Sequence, residues 1–165
     1  MGSEMCIRDR FSHLDANGDP AMVDVSKKEI TTRLAKARSI VVLPPEIVEV
    51  MQKDEIHTKK GPVFQTAILA GIMGAKKTSD LIPLCHPLPI SKCEIDISIS
   101  ENNKVIITCE VKTSGKTGVE MEALTGATIA ALTVYDMCKA FSHDIIIEST
   151  QLQSKSGGKR DFERT

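Results

Sequence analysis

The stretch Cys93-Glu94-Ile95-Asp96-Ile97-Ser98-Ile99-Ser100 runs through Glu101-Asn102-Asn103-Lys104 into Val105-Ile106-Ile107-Thr108-Cys109-Glu110-Val111. Apolar side chains at 93, 95, 97 and 99 and again at 105, 107, 109 and 111 alternate with more polar ones, and successive strand residues face opposite ways. The four polar residues between them are turn formers. This pattern predicts an antiparallel hairpin with one buried and one wet face.

Downstream, the sequence predicts a long helix over about Met121 to Ala140, followed by the continuous apolar run Ile145-Ile146-Ile147, as expected of an inner strand. Upstream, Pro62 opens a helix in which Val63, Phe64, Ala67, Ile68 and Ile72 recur at three-and-four spacing. Its small residues Ala67, Ala70, Gly71, Gly74 and Ala75 suit close backbone approach. Before it, Ala21 to Val25 and Ser39 to Leu43 read as strands, and Pro44-Pro45-Glu46 starts a short helix reaching about Lys53. Strands, helix, hairpin, helix and strand together predict an α+β fold, a ferredoxin-like sandwich with an antiparallel sheet and helices on one face.

The 165 residues, 41% hydrophobic and 26% charged, suit one domain with one core. With four Phe, one Tyr and no Trp, that core must be largely aliphatic, and contacts between copies could supply part of the burial. A net charge of −1 argues against a general nucleic-acid or membrane-surface binder, so any basic patch is local. Five cysteines with no Cys-x-x-Cys pair favour reduced thiols and a cytoplasmic setting. The first ten residues resemble no signal peptide and read as a tag, fusion scar or misplaced start. The expected organisation is a non-native or flexible segment at 1–20, a single catalytic domain at 21–159 and a flexible tail at 160–165. Asp15-Ala16-Asn17-Gly18-Asp19 has the start of a calcium loop, but Ser26 stands where the bidentate Glu belongs.

Three stretches place ionisable groups beside constrained backbone. In Pro83-Leu84-Cys85-His86-Pro87 the prolines hold His86 in a fixed loop. Glu120 and Glu122 bracket Met121 at the start of the long helix, where carboxylates suit the helix dipole and could also read a purine-like ring. At its end Asp136 and Lys139 stand three apart on one face, at the close of a stretch with no charges, where desolvation could tune both for proton transfer. A surface ion pair is the plainer reading. Lys155-Ser156-Gly157-Gly158-Lys159 lacks the spacing of a Walker loop, yet glycine amides and two ammoniums can cradle an anion; the alternative is a basic tail. Lys59-Lys60-Gly61, ahead of a helix start, is a comparable signal. A zinc site among Cys85, His86, Cys93, Cys109 and Cys138 is disfavoured, since 93 and 109 fall on apolar strand positions.

The runs Leu81 to Leu88, Gly115 to Thr125, Ala130 to Ala140 and Lys155 to Lys159 together resemble the molybdenum cofactor biosynthesis protein C family, the cyclic pyranopterin monophosphate synthases, over about Met22 to Lys159. The resemblance implies a ferredoxin-like subunit assembled as a homohexamer, a trimer of dimers with active sites between subunits. It implies a lyase that rearranges a 3′,8-cyclised dihydro-GTP to cyclic pyranopterin monophosphate with loss of pyrophosphate, without a cofactor or metal. Carried over by residue, it makes Asp136 the catalytic acid/base, with Lys139 and Lys60 as catalytic lysines. Leu84, Cys85, His86, Glu120, Met121, Glu122 and Lys155 become substrate contacts, and Arg33 resembles a family arginine that meets phosphates. Pro62, Gly126 and Arg160 depart from the family pattern: Pro62 could alter the setting of Lys60, and Gly126 should weaken its helix by about 1 kcal/mol relative to Ala. A nonenzymatic nucleotide-binding regulator would use the same lysines and glycine turns without needing Asp136, whereas a purely structural oligomer would survive the loss of Lys60, Lys139 and Lys155 together.

Overall fold

The computed structural model describes residues 17–52, 54–100 and 102–165. The expected N-terminal tag therefore lies outside the described residues, as do Asp15, Ala16 and Lys53. Seven strands are described: β1 (Thr31–Val42), β2 (His57–Thr58), β3 (Gly61–Pro62), β4 (Ile90–Ile99), β5 (Lys104–Gly115), β6 (Ile146–Ser156) and β7 (Phe162–Glu163). The helices are α1 (Pro45–Val48), α2 (Val63–Lys76), α3 (Thr78–Leu81) and α4 (Glu120–Cys138).

β4 and β5 form the expected hairpin, with Ile95 opposite Cys109 and Ile97 opposite Ile107. Asn103 adopts φ 58° in its turn, a conformation asparagine tolerates better than most residues. The main sheet runs β4-β5-β1-β6-β7 with every neighbouring pair antiparallel. The first strand lies inside and the hairpin to one side, while α2 and α4 cover one face; this is the ferredoxin-like α+β sandwich. The inner face is built from Ala35, Ala37, Val41, Val105, Ile107, Cys109 and Val111, all fully buried, against Ala123, Ala127, Ala130 and Val134 of α4. The core is aliphatic, with Phe64 the only buried Phe among the described residues, and alanines dominate the contact face of α4 so that helix and sheet pack closely.

Glycine sets the distance between α2 and α4. A Cβ at Gly71 would lie 2.7 Å from the carbonyl oxygen of Gly126, and one at Gly126 would lie 2.6 Å from Cys109 Sγ. Gly126, a helix weakener by propensity alone, is thus demanded by its close packing on Cys109 of β5, with the Gly71 carbonyl oxygen of α2 a further 3.3 Å neighbour.

Several elements differ from the sequence reading. Ala21 to Val25 forms no strand; Asp24 instead accepts the backbone N–H of Ser26 at 2.8 Å in a local turn. The strand placed at Ser39–Leu43 begins eight residues earlier, because Lys36 and Arg38 occupy its outward positions while the small Ala35 and Ala37 face inward. α1 is a single turn ending at Val48, since the chain reverses in the Gln52–Glu55 bridge with Asp54 at φ 60°. The tail expected to be flexible carries β7, which pairs Glu163 with Ser154 and Phe162 with Lys155.

Candidate active site

The expected site residues gather at the two ends of α4. At its C-terminal end, the β2–β3 hairpin delivers Lys60. Thr58 Oγ1 accepts the Lys60 backbone N–H at 3.1 Å and donates to the Gly61 carbonyl at 3.3 Å, fixing the turn, and Gly61 takes φ 112°. Lys60 Nζ then reaches Asp136 Oδ2 at 2.9 Å, while Lys139 Nζ, one turn along α4, reaches Oδ1 at 2.7 Å. Pro62 leaves this setting intact. It cannot cap α2, and the carboxylate of Glu55 does so from outside: Oε1 accepts the N–H groups of Ile56 and Phe64, and Oε2 that of Gln65.

Two ammoniums hold the Asp136 carboxyl down at about 2, Lys139 first and Lys60 second, and Asp136 in turn raises Lys139. The expected desolvation is a correction: the side chain is 53% exposed, and burial contributes least to the shift. α4 presents one face to the sheet and α2 and leaves Asp136 on the other. The group is therefore an ionised carboxylate near neutrality, flanked by two ammonium donors. A pocket of about 700 Å³ opens beside it, lined also by Lys59, Phe141 and His143.

The N-terminal end of α4 gathers the remaining candidates. Leu84, Cys85, His86, Glu120, Met121 and Glu122 line one pocket of about 330 Å³. Arg33, Lys28, Lys116, Lys155 and Lys159 line an adjoining one of about 220 Å³, to which Glu120 also contributes. Gly118 lets the Glu120 carboxylate fold back over the turn, where a Cβ would collide with it. Lys155 Nζ pairs with Glu120 Oε1 at 2.9 Å. Arg33 is aimed by Nη2 and Nε, which donate to the carbonyls of Lys116 at 3.5 Å and Gly115 at 3.4 Å. Five cations against one nearby carboxylate make this pocket a ready anion site.

Glu122 is 4% exposed, and burial, with repulsion from Glu120, pushes its carboxyl upward. Burial also raises the Cys85 thiol, with Glu122 adding to the effect. His86 Nε2 lies 2.8 Å from the Val23 carbonyl, so in the neutral ring Nε2 carries the proton and Nδ1 is left as acceptor. Lys116 Nζ donates to the Ser26 carbonyl at 2.6 Å, and the two contacts strap the chain before β1 across the pocket mouth.

Lys155-Ser156-Gly157-Gly158-Lys159 is only partly the expected nest. Lys155 and Ser156 close β6, and the Gly157 amide is committed to Asp161 Oδ1 at 3.1 Å. The segment offers its lysines rather than its first glycine amide. Cys109 and Cys138 are buried among apolar neighbours. Among the described residues no three His, Cys, Asp or Glu side chains are placed to hold a metal ion. No described helix is long and apolar enough to cross a membrane.

The two ends do not meet within one protomer: at 1.5 Å per residue, α4 holds Glu120 and Asp136 about 24 Å apart. Nothing in the spacing points to Glu55, Lys28, Phe141 or His143. Glu55 acts on a helix that starts beyond an intervening hairpin, and the other three lie outside the recognisable motifs.

Fold and site define a ferredoxin-like α+β protein with lysines concentrated at both ends of its longest helix. The MoaC family matches residues 22–158, and the chain belongs to that family. It is 52% identical over 159 residues to the molybdenum cofactor biosynthesis bifunctional protein of Synechocystis, covering 94% of this chain and 46% of that protein. It is 51% identical over 166 residues to molybdenum cofactor biosynthesis protein 1 of Dictyostelium discoideum, covering 90% of this chain and 26% of that one. The chain thus spans about half or less of these two relatives. A cyclic pyranopterin monophosphate synthase of Xanthomonas campestris is 50% identical over 153 residues, which cover 93% of both chains.

Proposed function

We propose that this protein is a cyclic pyranopterin monophosphate synthase, a lyase converting 3′,8-cyclo-7,8-dihydroguanosine 5′-triphosphate to cyclic pyranopterin monophosphate and pyrophosphate in molybdenum cofactor biosynthesis. The observation that carries the reading is Asp136 held ionised between Lys60 and Lys139 at the mouth of a nucleotide-sized pocket. A carboxylate so placed accepts a proton, and the flanking ammoniums return protons and stabilise developing negative charge. At the other end of α4, Lys155 and Arg33 neutralise the triphosphate, while Glu122, Met121 and the Leu84-Cys85-His86 loop hold the ring system. His86 presents its acceptor nitrogen, and the buried Glu122 carboxyl lines the same pocket.

The active unit is a homohexamer, a trimer of dimers, in which the Asp136 end of one protomer faces the Glu122 end of another. The separation along α4 supports this arrangement, as do Leu69 and Met73 of α2 and Leu132 of α4, exposed at 64%, 60% and 49%. Its setting is the cytoplasm.

Mass spectrometry after incubation with the cyclised nucleotide tests the activity. Wild type yields the cyclic monophosphate and pyrophosphate, and Asp136→Ala yields neither while retaining its assembly state. Mixing Asp136→Ala with Lys155→Ala, each inactive alone, restores part of the turnover if sites are shared between protomers. Absence of product from wild type overturns the activity; absence of restoration in verified mixed assemblies overturns the shared site.

A further inference from the structure

Both lysines nearest the Asp136 carboxylate are already spent on it, so the pocket beside it needs other groups to meet a phosphorylated ligand. Two are present in its lining: Lys59, next to Lys60 in the β2–β3 turn, and His143, just beyond the end of α4. Among the described residues neither side chain makes an ion pair or hydrogen bond within the protein, and both are exposed. The loop that carries His143 is ordered by a local turn, in which Ser142 Oγ accepts the Asp144 backbone N–H at 3.2 Å. Phe141 stands between α4 and His143 with its backbone N–H bonded to the Cys138 carbonyl at 2.9 Å, and its ring is 44% exposed in the same lining. An aromatic face beside uncommitted donors suits a ligand with a flat ring and anionic oxygens.

We propose that His143 and Lys59 contact an anionic phosphate oxygen of the substrate at the Asp136 end of the site, with Phe141 forming the apolar wall against its ring. These are substrate-positioning residues, and the assignment rests on the synthase reading. They hold the guest where Asp136 can reach it, leaving Lys60 and Lys139 to proton transfer.

Steady-state kinetics with the cyclised nucleotide test this. His143→Gln and Phe141→Ala should each raise KM about tenfold with kcat within about twofold, as expected for loss of one charge-assisted hydrogen bond or one apolar contact. His143→Lys should recover most of the loss, as should Phe141→Tyr. An unchanged KM in both variants overturns the proposal, as does a change in assembly state that accounts for the loss. A second measurement does not depend on turnover: inorganic pyrophosphate added to wild type should shift the His143 ring resonances, and the shift should shrink in Lys59→Gln. Product from wild type with no effect in the variants refutes this assignment alone, whereas no product from wild type refutes the synthase reading beneath it. Failure of pyrophosphate to move the His143 resonances refutes the anion contact in either case.

Discussion

Lys60 Nζ lies 2.9 Å from Asp136 Oδ2 although the two residues are 76 positions apart, and the contact ties a two-stranded hairpin to the last turn of α4. With Lys139 on the other carboxylate oxygen, it determines which protonation state the site starts from. In an exposed setting such pairs add little stability, so their consequence is chemical.

The Asp136 carboxyl is expected to titrate at about 2 instead of its ordinary 3.8, which carbon-detected NMR of the side chain can follow. Lys139→Met should move the midpoint up, and Lys60→Met should do so to a smaller degree. Because the folded-state value is the lower one, the pairs favour the folded chain above about pH 4 and lose that contribution as pH falls toward 2. A wild-type midpoint at the ordinary value contradicts the geometry.

Glu55→Gln should lower stability by about 1 kcal/mol, seen in denaturant unfolding, since the carboxylate caps three backbone N–H groups at and before the start of α2. Activity should fall as well, because the capped turn also anchors the hairpin that carries Lys60. Unchanged stability excludes the capping role.

At Gly71, alanine would raise helix propensity by about 1 kcal/mol and yet should destabilise the protein by about 1–3 kcal/mol. Its Cβ meets a backbone carbonyl, that of Gly126, which cannot swing away. A rise in thermal midpoint would show that the two helices are farther apart than described.

For Gly157→Ala the expected outcome is a loss of about 1–3 kcal/mol together with weaker substrate binding. Gly157 has φ 82°, a Cβ there would land on the Thr32 carbonyl oxygen, and Thr31 Oγ1 donates to the Gly157 carbonyl at 2.7 Å. The strain falls at the end of β6, where Lys155 reaches Glu120. Calorimetric titration with pyrophosphate reads the binding effect, and wild-type affinity in the variant would separate the turn from the site.

Much of this was legible in the chain itself. The hairpin and α2 follow from periodicity, because each buries one face that apolar residues mark, and the strand opening at Ile146 follows instead from the continuous apolar run at its start. The first half of β1 did not announce itself: alanine is small enough for the inner face there but carries no strand signal, and Arg33, Lys36 and Arg38 break the apolar run. Conversely, Ala21 to Val25 has strand composition without a strand edge to join. At the site, the motif residues identified both clusters and the periodicity placed them at opposite ends of one long helix, but the residues that other elements bring to each end, such as Lys28 and His143, carried no signal. The larger cause of the Asp136 shift, Lys139 three residues on, was legible in the spacing, whereas the second was hidden, because Lys60 meets the carboxylate only through tertiary structure.

α4 is a stiff rod, and neither end of it can bend toward the other. If each complete pocket takes one end from each of two chains, the number of working pockets follows the population of assembled particles. Specific activity per chain should then fall on dilution below the association midpoint, and a mutation on the exposed side of α2 could silence catalysis without touching a single polar group of the site.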